Sequence, residues 1–376
     1  MNSISISHRN AVLLRAALTL GGSLALTGAQ AATLNVPSQY PTIQNAIDAA
    51  AKGDTVVVAN GLYYGVGNIN LNPNGKAITI KSAGGPGSCF LDGGQSDRLL
   101  VIQSGEKATT RIIGFTFQHG FNPAQGGAVY LNQTSPTFTN CVFQYNTVGN
   151  SSNNGVGGAV YSNGGSPTFN GTLFYKNTAA GATDGEGGAI WLAGGKTQII
   201  SSSFADNSSI DYGGAVEVRN GAAAVVDSTF SGNVSSYGGA IHTVGATLNL
   251  TTCTLSANSG YAGGGLSVQT QSVATLSQCD FFDNTASYGG GYFSYTSSGI
   301  ASHCNFDGNT ATAFGGGVEI EGGKPSLVGN ILSNNSAPQG GAVHIDSGSP
   351  AIRQREVSSS HPHESGDLAL LTCRTL

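Results

Sequence analysis

Gly213-Gly214-Ala215-Val216 is followed 25 residues later by Gly238-Gly239-Ala240-Ile241, with Phe230-Ser231-Gly232-Asn233 between them. Both motifs recur through most of the chain. Gly-Gly-Ala/Gly-apolar starts at Gly126, Gly157, Gly187, Gly213, Gly238, Gly263, Gly289, Gly315 and Gly340, in steps of 31, 30, 26, 25, 25, 26, 26 and 25 residues. Phe-x-x-Asn keeps phase with it at Phe143/Asn146, Phe174/Asn177, Phe204/Asn207, Phe230/Asn233, Phe281/Asn284 and Phe306/Asn309. Leu255/Asn258 and Ile331/Asn334 read as variants, and Phe117 with Gly120 opens the series. The two long steps hold polar inserts, 149–156 and 179–186, which read as loops.

A unit of this length, made of short apolar runs and Gly/Asn turns, cannot bury a core alone. Stacked on copies of itself it can. The pattern predicts an all-β solenoid, a right-handed parallel β-helix, with regular repeats over 114–353. Equivalent residues then lie about 4.8 Å apart along the stack. The Phe series becomes an internal ladder of rings. The Asn is expected at a turn, in left-handed backbone and bonded along the stack. The Gly pair is expected where positive φ or close approach excludes a Cβ. Cys141, Cys253, Cys279 and Cys304 each stand two residues before the Phe or Leu, so alternation turns them into the core; Cys253, Cys279 and Cys304, on consecutive rungs, are free thiols or paired along the stack.

Composition agrees. Gly makes up 57 of 376 residues, and only 9% are charged, against about a quarter in an average protein. Net charge is −5 with no basic run, which argues against a nucleic-acid partner. No run beyond the N-terminus is long and apolar enough to span a bilayer. The cysteines have no CxxC or His companions, so they do not read as a metal site.

The ends differ from the middle. Residues 1–31 read as a cleaved export signal: His8, Arg9 and Arg15, an apolar run from Ala16 to Leu26, then Ala29-Gln30-Ala31. This predicts a secreted or surface-associated protein. Residues 32–113 read as an N-terminal cap and irregular first rungs. Within them Pro41 to Ala50 forms an amphipathic helix that places Ile43, Ala46, Ile47 and Ala50 on one face, suited to covering the open end of the core. From 354 to 376 the pattern breaks. Either the last rung decays into a tail or the reading frame is damaged near Arg353. Val357 falls at the Phe position of that rung.

Gly-Gly-Ala-Val/Ile with Phe-x-x-Asn resembles the repeats of the polymorphic outer membrane proteins, over roughly residues 114–352. That resemblance implies a β-helical surface protein associated with adhesion. Val36-Pro37-Ser38-Gln39-Tyr40-Pro41-Thr42-Ile43 resembles the opening of many pectin-lyase-like β-helix proteins. The lyases of that fold use Asp groups as calcium ligands and a basic proton acceptor. No tight Asp group with a nearby Lys or Arg occurs in the regular rungs.

The residue after the apolar position of each Gly-Gly motif is expected to point outward. Along the stack these are Tyr130, Tyr161, Trp191, Glu217, His242, Ser267, Phe293, Glu319 and His344. Tyr130, Tyr161 and Trp191 form an aromatic strip suited to sugar rings or a protein surface. Glu217, Arg219 and His242 bring a carboxylate, a guanidinium and an imidazole together, a set able to do acid–base work on a polysaccharide. Glu319, Glu321, His344 and Asp346 gather four ionisable groups on two rungs. That set suits a divalent cation such as Ca²⁺, or paired carboxylates for glycosidic cleavage; no other cofactor is implied. The scarcity of charge favours binding or adhesion to an extracellular glycan or protein over a polysaccharide lyase or glycoside hydrolase.

Overall fold

The computed structural model describes residues 30–358 together with 361, 362, 370 and 371. Nearly all of the expected export signal, and most of the chain after 358, lie outside the described residues. What is described is a right-handed parallel β-helix.

One rung shows the plan. Ile190–Ala193 and Lys196–Ile200 are followed by Ser203–Ala205 and the short Ser208–Ser209. Each strand pairs in parallel with its counterpart one rung on, as in Ile190↔Val216 and Phe204↔Phe230. The first two strands of successive rungs build a 22-stranded sheet, and the third builds a 12-stranded one. Alternation turns every second side chain inward.

The ring ladder forms as expected. Phe143 and Phe174 stack at 4.9 Å, Phe174 and Phe204 at 4.6 Å, and Phe204 and Phe230 at 4.7 Å. Leu255 interrupts the ladder, and Phe281 and Phe306 resume it at 4.6 Å. The next rung corrects the motif reading. Leu332, not Ile331, pairs with Phe306, and Asn335, not Asn334, takes the Asn position. Ile331 lies one residue out of phase with the inward face. Val357 then pairs with Leu332.

The Asn column is a continuous buried hydrogen-bond chain. Asn207 Nδ2 donates to Asn233 Oδ1 at 3.0 Å and to the Phe174 carbonyl at 3.0 Å, and its backbone N–H donates to the same Asn233 Oδ1 at 3.0 Å. The arrangement repeats from Asn146 to Asn309, and each contribution is worth about 1 kcal/mol net. The left-handed residue is not the Asn but the one before it, such as Tyr145, Lys176, Asp206 and Ala257. This turn frees the Asn side chain to point inward.

The two glycines of each pair serve different ends. Gly213 takes φ +60°, which a Cβ disfavours. A Cβ on Gly214 would collide with the backbone of Gly239 and Val234 on the next rung. Cys89, Cys141, Cys253, Cys279 and Cys304 are buried free thiols. Burial pushes the Cys141 thiol up to about 11 and the Cys89 thiol up to about 12.

Before the regular rungs, Ile43–Ala49 is helical. The Thr42 side chain accepts from the Asn45 N–H at the start, and Ile43, Ala46 and Ile47 are buried in the core.

Candidate functional site

Tyr130, Tyr161, Trp191, Glu217, His242, Ser267, Phe293, Glu319 and His344 stand in unbroken register on one face of the long sheet. The structure corrects their expected exposure. Glu217, His242, Ser267, Phe293 and Glu319 point away from the core yet are buried. The cause is a second layer. Tyr212, Tyr237, Tyr288 and Phe314 each directly precede a Gly-Gly pair, and the turn folds them over this face. Tyr212 packs on His242 at 4.8 Å, and Phe314 packs on His344 at 4.7 Å.

The expected aromatic strip forms. Tyr130 and Tyr161 stack at 5.2 Å, and Tyr161 and Trp191 at 4.9 Å and 4°. Tyr161 is itself buried between its neighbours. The Arg98 guanidinium lies 5.1 Å over Tyr130.

Beside the strip, Trp191 Nε1 donates to Glu186 Oε2 at 2.7 Å. Glu186 Oε1 accepts from Arg219 at 2.8 Å. Arg219 Nε is 3.0 Å from Glu217 Oε1, near enough for an ion pair but off the hydrogen-bonding line. Glu217 Oε2 is 2.6 Å from His242 Nδ1. The expected Glu217, Arg219 and His242 trio is therefore assembled, but its carboxylate and imidazole are sealed in. In this conformation they hold Arg219 rather than meet a polymer.

More accessible are Asp184, from the second polar insert, and Asp211. Burial raises the Asp211 carboxyl above its usual range, and Asp184 beside it raises it further. Asp184 Oδ1 has no hydrogen-bond donor unless Asp211 carries a proton. Burial also raises Glu186, with Trp191 and Arg219 opposing it. Among the described residues, seven buried side-chain polar atoms lack a hydrogen-bond partner. Four of them, Asp184 Oδ1, Glu217 Oε1, Arg219 Nε and His242 Nε2, belong to this one cluster. Such atoms are uncommon in folded proteins, and the Glu217–Arg219 ion pair accounts for two of the four.

The covering rings continue as a column: Tyr212–Tyr237 at 5.4 Å, Tyr237–Tyr261 at 6.0 Å, Tyr261–Tyr288 at 5.2 Å and Tyr288–Phe314 at 5.8 Å. A cleft of about 310 Å³ opens along it, lined by Tyr237, Tyr261, Tyr288, Phe293, Tyr295, Gln269 and Glu321. Tyr261 is 50% exposed and Tyr295 43%, so both side chains are within reach of a ligand.

Of the expected cation set, Glu319 and His344 pair with each other, with His344 Nδ1 2.9 Å from Glu319 Oε2. A register slip after Ile320 sets Glu321 opposite Ser347 rather than Asp346. No group of three or more His, Cys, Asp or Glu side chains suited to a metal ion occurs among the described residues. Burial raises the Glu319 carboxyl, with His344 opposing; burial and Asp346 raise that of Glu321.

The sequence reading missed Glu186, Tyr212, Tyr237, Tyr288 and Phe314. The available signal was the position directly before Gly-Gly, where an acid and four rings recur in phase.

Residues 188–358 match the family model described as right handed beta helix region. No curated protein matches. Among solved structures, the catalytic unit of the thermostable GH87 α-1,3-glucanase from Streptomyces thermodiastaticus superposes with a TM-score of 0.42 at 11% identity. The alignment covers 84% of this chain and 65% of that one, so the chain spans just under two thirds of the glucanase unit. The A-module of an Azotobacter vinelandii mannuronan C-5 epimerase superposes with a TM-score of 0.33 at 12% identity, covering 85% of this chain and 91% of that one. No helix among the described residues is long and apolar enough to cross a membrane.

Proposed function

We propose that the protein is an exported β-helix that binds an extracellular glycan along the aromatic column from Tyr212 to Phe314. The observation that carries this reading is the cleft lined by Tyr237, Tyr261, Tyr288, Phe293 and Tyr295, with Gln269 and Glu321 as its polar groups. Ring faces pack against the apolar faces of sugars, and a few polar groups fix their orientation. The rungs repeat at about 4.8 Å, close to the length of one hexose unit, so a linear glycan can place successive sugars on successive rings. The resemblance of the repeats to those of polymorphic outer membrane proteins supports a role at a cell surface. In the same reading the helix Ile43–Ala49 caps the open end of the core.

The test is retardation of the full chain in gels carrying single polysaccharides. Retention by at least one glycan, relieved by Tyr288→Ala and Tyr261→Ala with unchanged circular dichroism, supports the reading. Retention that survives both changes removes the cleft from it.

A second reading is cleavage of the bound glycan, favoured by Asp211: burial and the neighbouring Asp184 raise its carboxyl, as a general acid requires. It expects slow release of reducing ends from the bound glycan, abolished by Asp211→Asn. Binding with no release on prolonged incubation rejects it.

A further inference from the structure

The charge on this face selects among glycans. Resting on the glycan-binding reading above, we propose that the cleft takes an amino-sugar chain bearing free ammonium groups, with its rings on Tyr261 and Tyr288 and its amines against Glu321 and the Asp184/Asp211 pair.

Seven carboxylates lie on this face or at its ends: Asp184, Glu186, Asp211, Glu217, Glu319, Glu321 and Asp346. They are drawn from 20 acidic residues in the whole sequence. No Lys or Arg lines the cleft. Arg219 is committed to Glu186 at 2.8 Å and Glu217 at 3.0 Å. His242 and His344 are held by Glu217 and Glu319. Among the described residues, no cationic side chain is bonded to Asp184, Asp211 or Glu321, and Asp184 Oδ1 lacks a donor while Asp211 is ionised. A uronic acid polymer would set its own carboxylates against these and be repelled. A neutral glycan would satisfy the rings and leave the carboxylates uncompensated. A chain of protonated amino sugars does both, because an ammonium favours the ionised carboxylate and also sits well over a tyrosine face. The two acidic ends are four rungs apart, roughly 19 Å, so a short oligosaccharide reaches both.

The experiment is calorimetric titration of the full chain, at mildly acidic pH, with glucosamine oligosaccharides, their N-acetylated forms, cello-oligosaccharides, oligogalacturonates and oligolysine of matched length. The expected result is several-fold tighter binding of the glucosamine series than of either neutral series, with no binding of oligogalacturonate. Asp211→Asn with Glu321→Gln should erase the preference, bringing the affinity for the glucosamine series to that for its N-acetylated form. In the wild type, added salt should shrink the same preference, a check that needs no variant. Equal affinity for amine and N-acetyl forms overturns the inference and leaves the glycan reading intact. Preference for oligogalacturonate overturns it too. Oligolysine binding as tightly as the amino sugar shows that the face reads charge alone, and overturns it. If no sugar of any class binds, it is the glycan-binding reading that fails, and the inference with it.

Discussion

Glu217 Oε2 on one rung lies 2.6 Å from His242 Nδ1 on the next, and both side chains are almost wholly buried. The pair anchors Arg219 and, through it, Glu186 and Trp191. Removing one member leaves the other uncompensated in a site closed by Tyr212. Glu217→Ala is expected to cost about 3–5 kcal/mol in denaturant unfolding. Replacing Asp346, exposed at the far end, is expected to stay within about 0.5 kcal/mol. A Glu217→Ala cost as small as that would contradict the account.

The Asn column carries the second expectation. Asn233→Ala strips partners from the Asn207 side chain and N–H, the Phe204 carbonyl and Asn258 Oδ1, all buried. A loss of at least about 2–3 kcal/mol follows, since each orphaned group costs about 1–3 kcal/mol. Asn163→Ala removes one part-buried bond to Asn132 and should be nearly silent. Gly239→Ala should destabilise by about 1–3 kcal/mol or more, because its Cβ would strike the backbone of Gly264 and Ser259. Chemical denaturation of the three variants ranks them, and equal losses at Asn233 and Asn163 would reject the ladder.

The sequence made the architecture legible because its signal is periodic. Phase alone located the ring ladder, the buried cysteines and the register of the outward face. It failed where two neighbours share a chemistry: Ile331 and Leu332 are both apolar, and Asn334 and Asn335 are identical. Only pairing to Phe306 separates them. The site was half legible. Register placed Glu217 beside His242, but strand alternation knows two faces and not a third layer. Nothing in the strand pattern announces that Tyr212 or Phe314 folds over the outer face. Asp184 lies in an insert outside the repeat, so periodicity had no hold on it.

Stability should depend on pH through Glu319 and Glu321. Burial raises Glu319, with His344 opposing and Glu321 and Asp346 adding to the rise; burial and then Asp346 raise Glu321. Their ordinary value is 4.5. Folded-state values above this mean that the native chain binds more protons than the unfolded one. Their contribution is therefore complete below about pH 4.5 and is lost as pH rises through the folded values. Melting temperatures between about pH 4.5 and pH 8 should fall more steeply for the wild type than for Glu319→Gln with Glu321→Gln. Parallel curves, or a steeper fall in the variant, would contradict the assignment.

The glycan reading is tested most directly by titrating the full chain with one oligosaccharide series of increasing length. Five rings from Tyr212 to Phe314 stand on successive rungs. Affinity is expected to climb with each added sugar to about five residues and then level off, at about one sugar per rung. Tyr261→Ala, at the centre of the column, should flatten the climb. Affinity independent of length, or a climb untouched by Tyr261→Ala, would show that the aromatic column is not where the glycan lies.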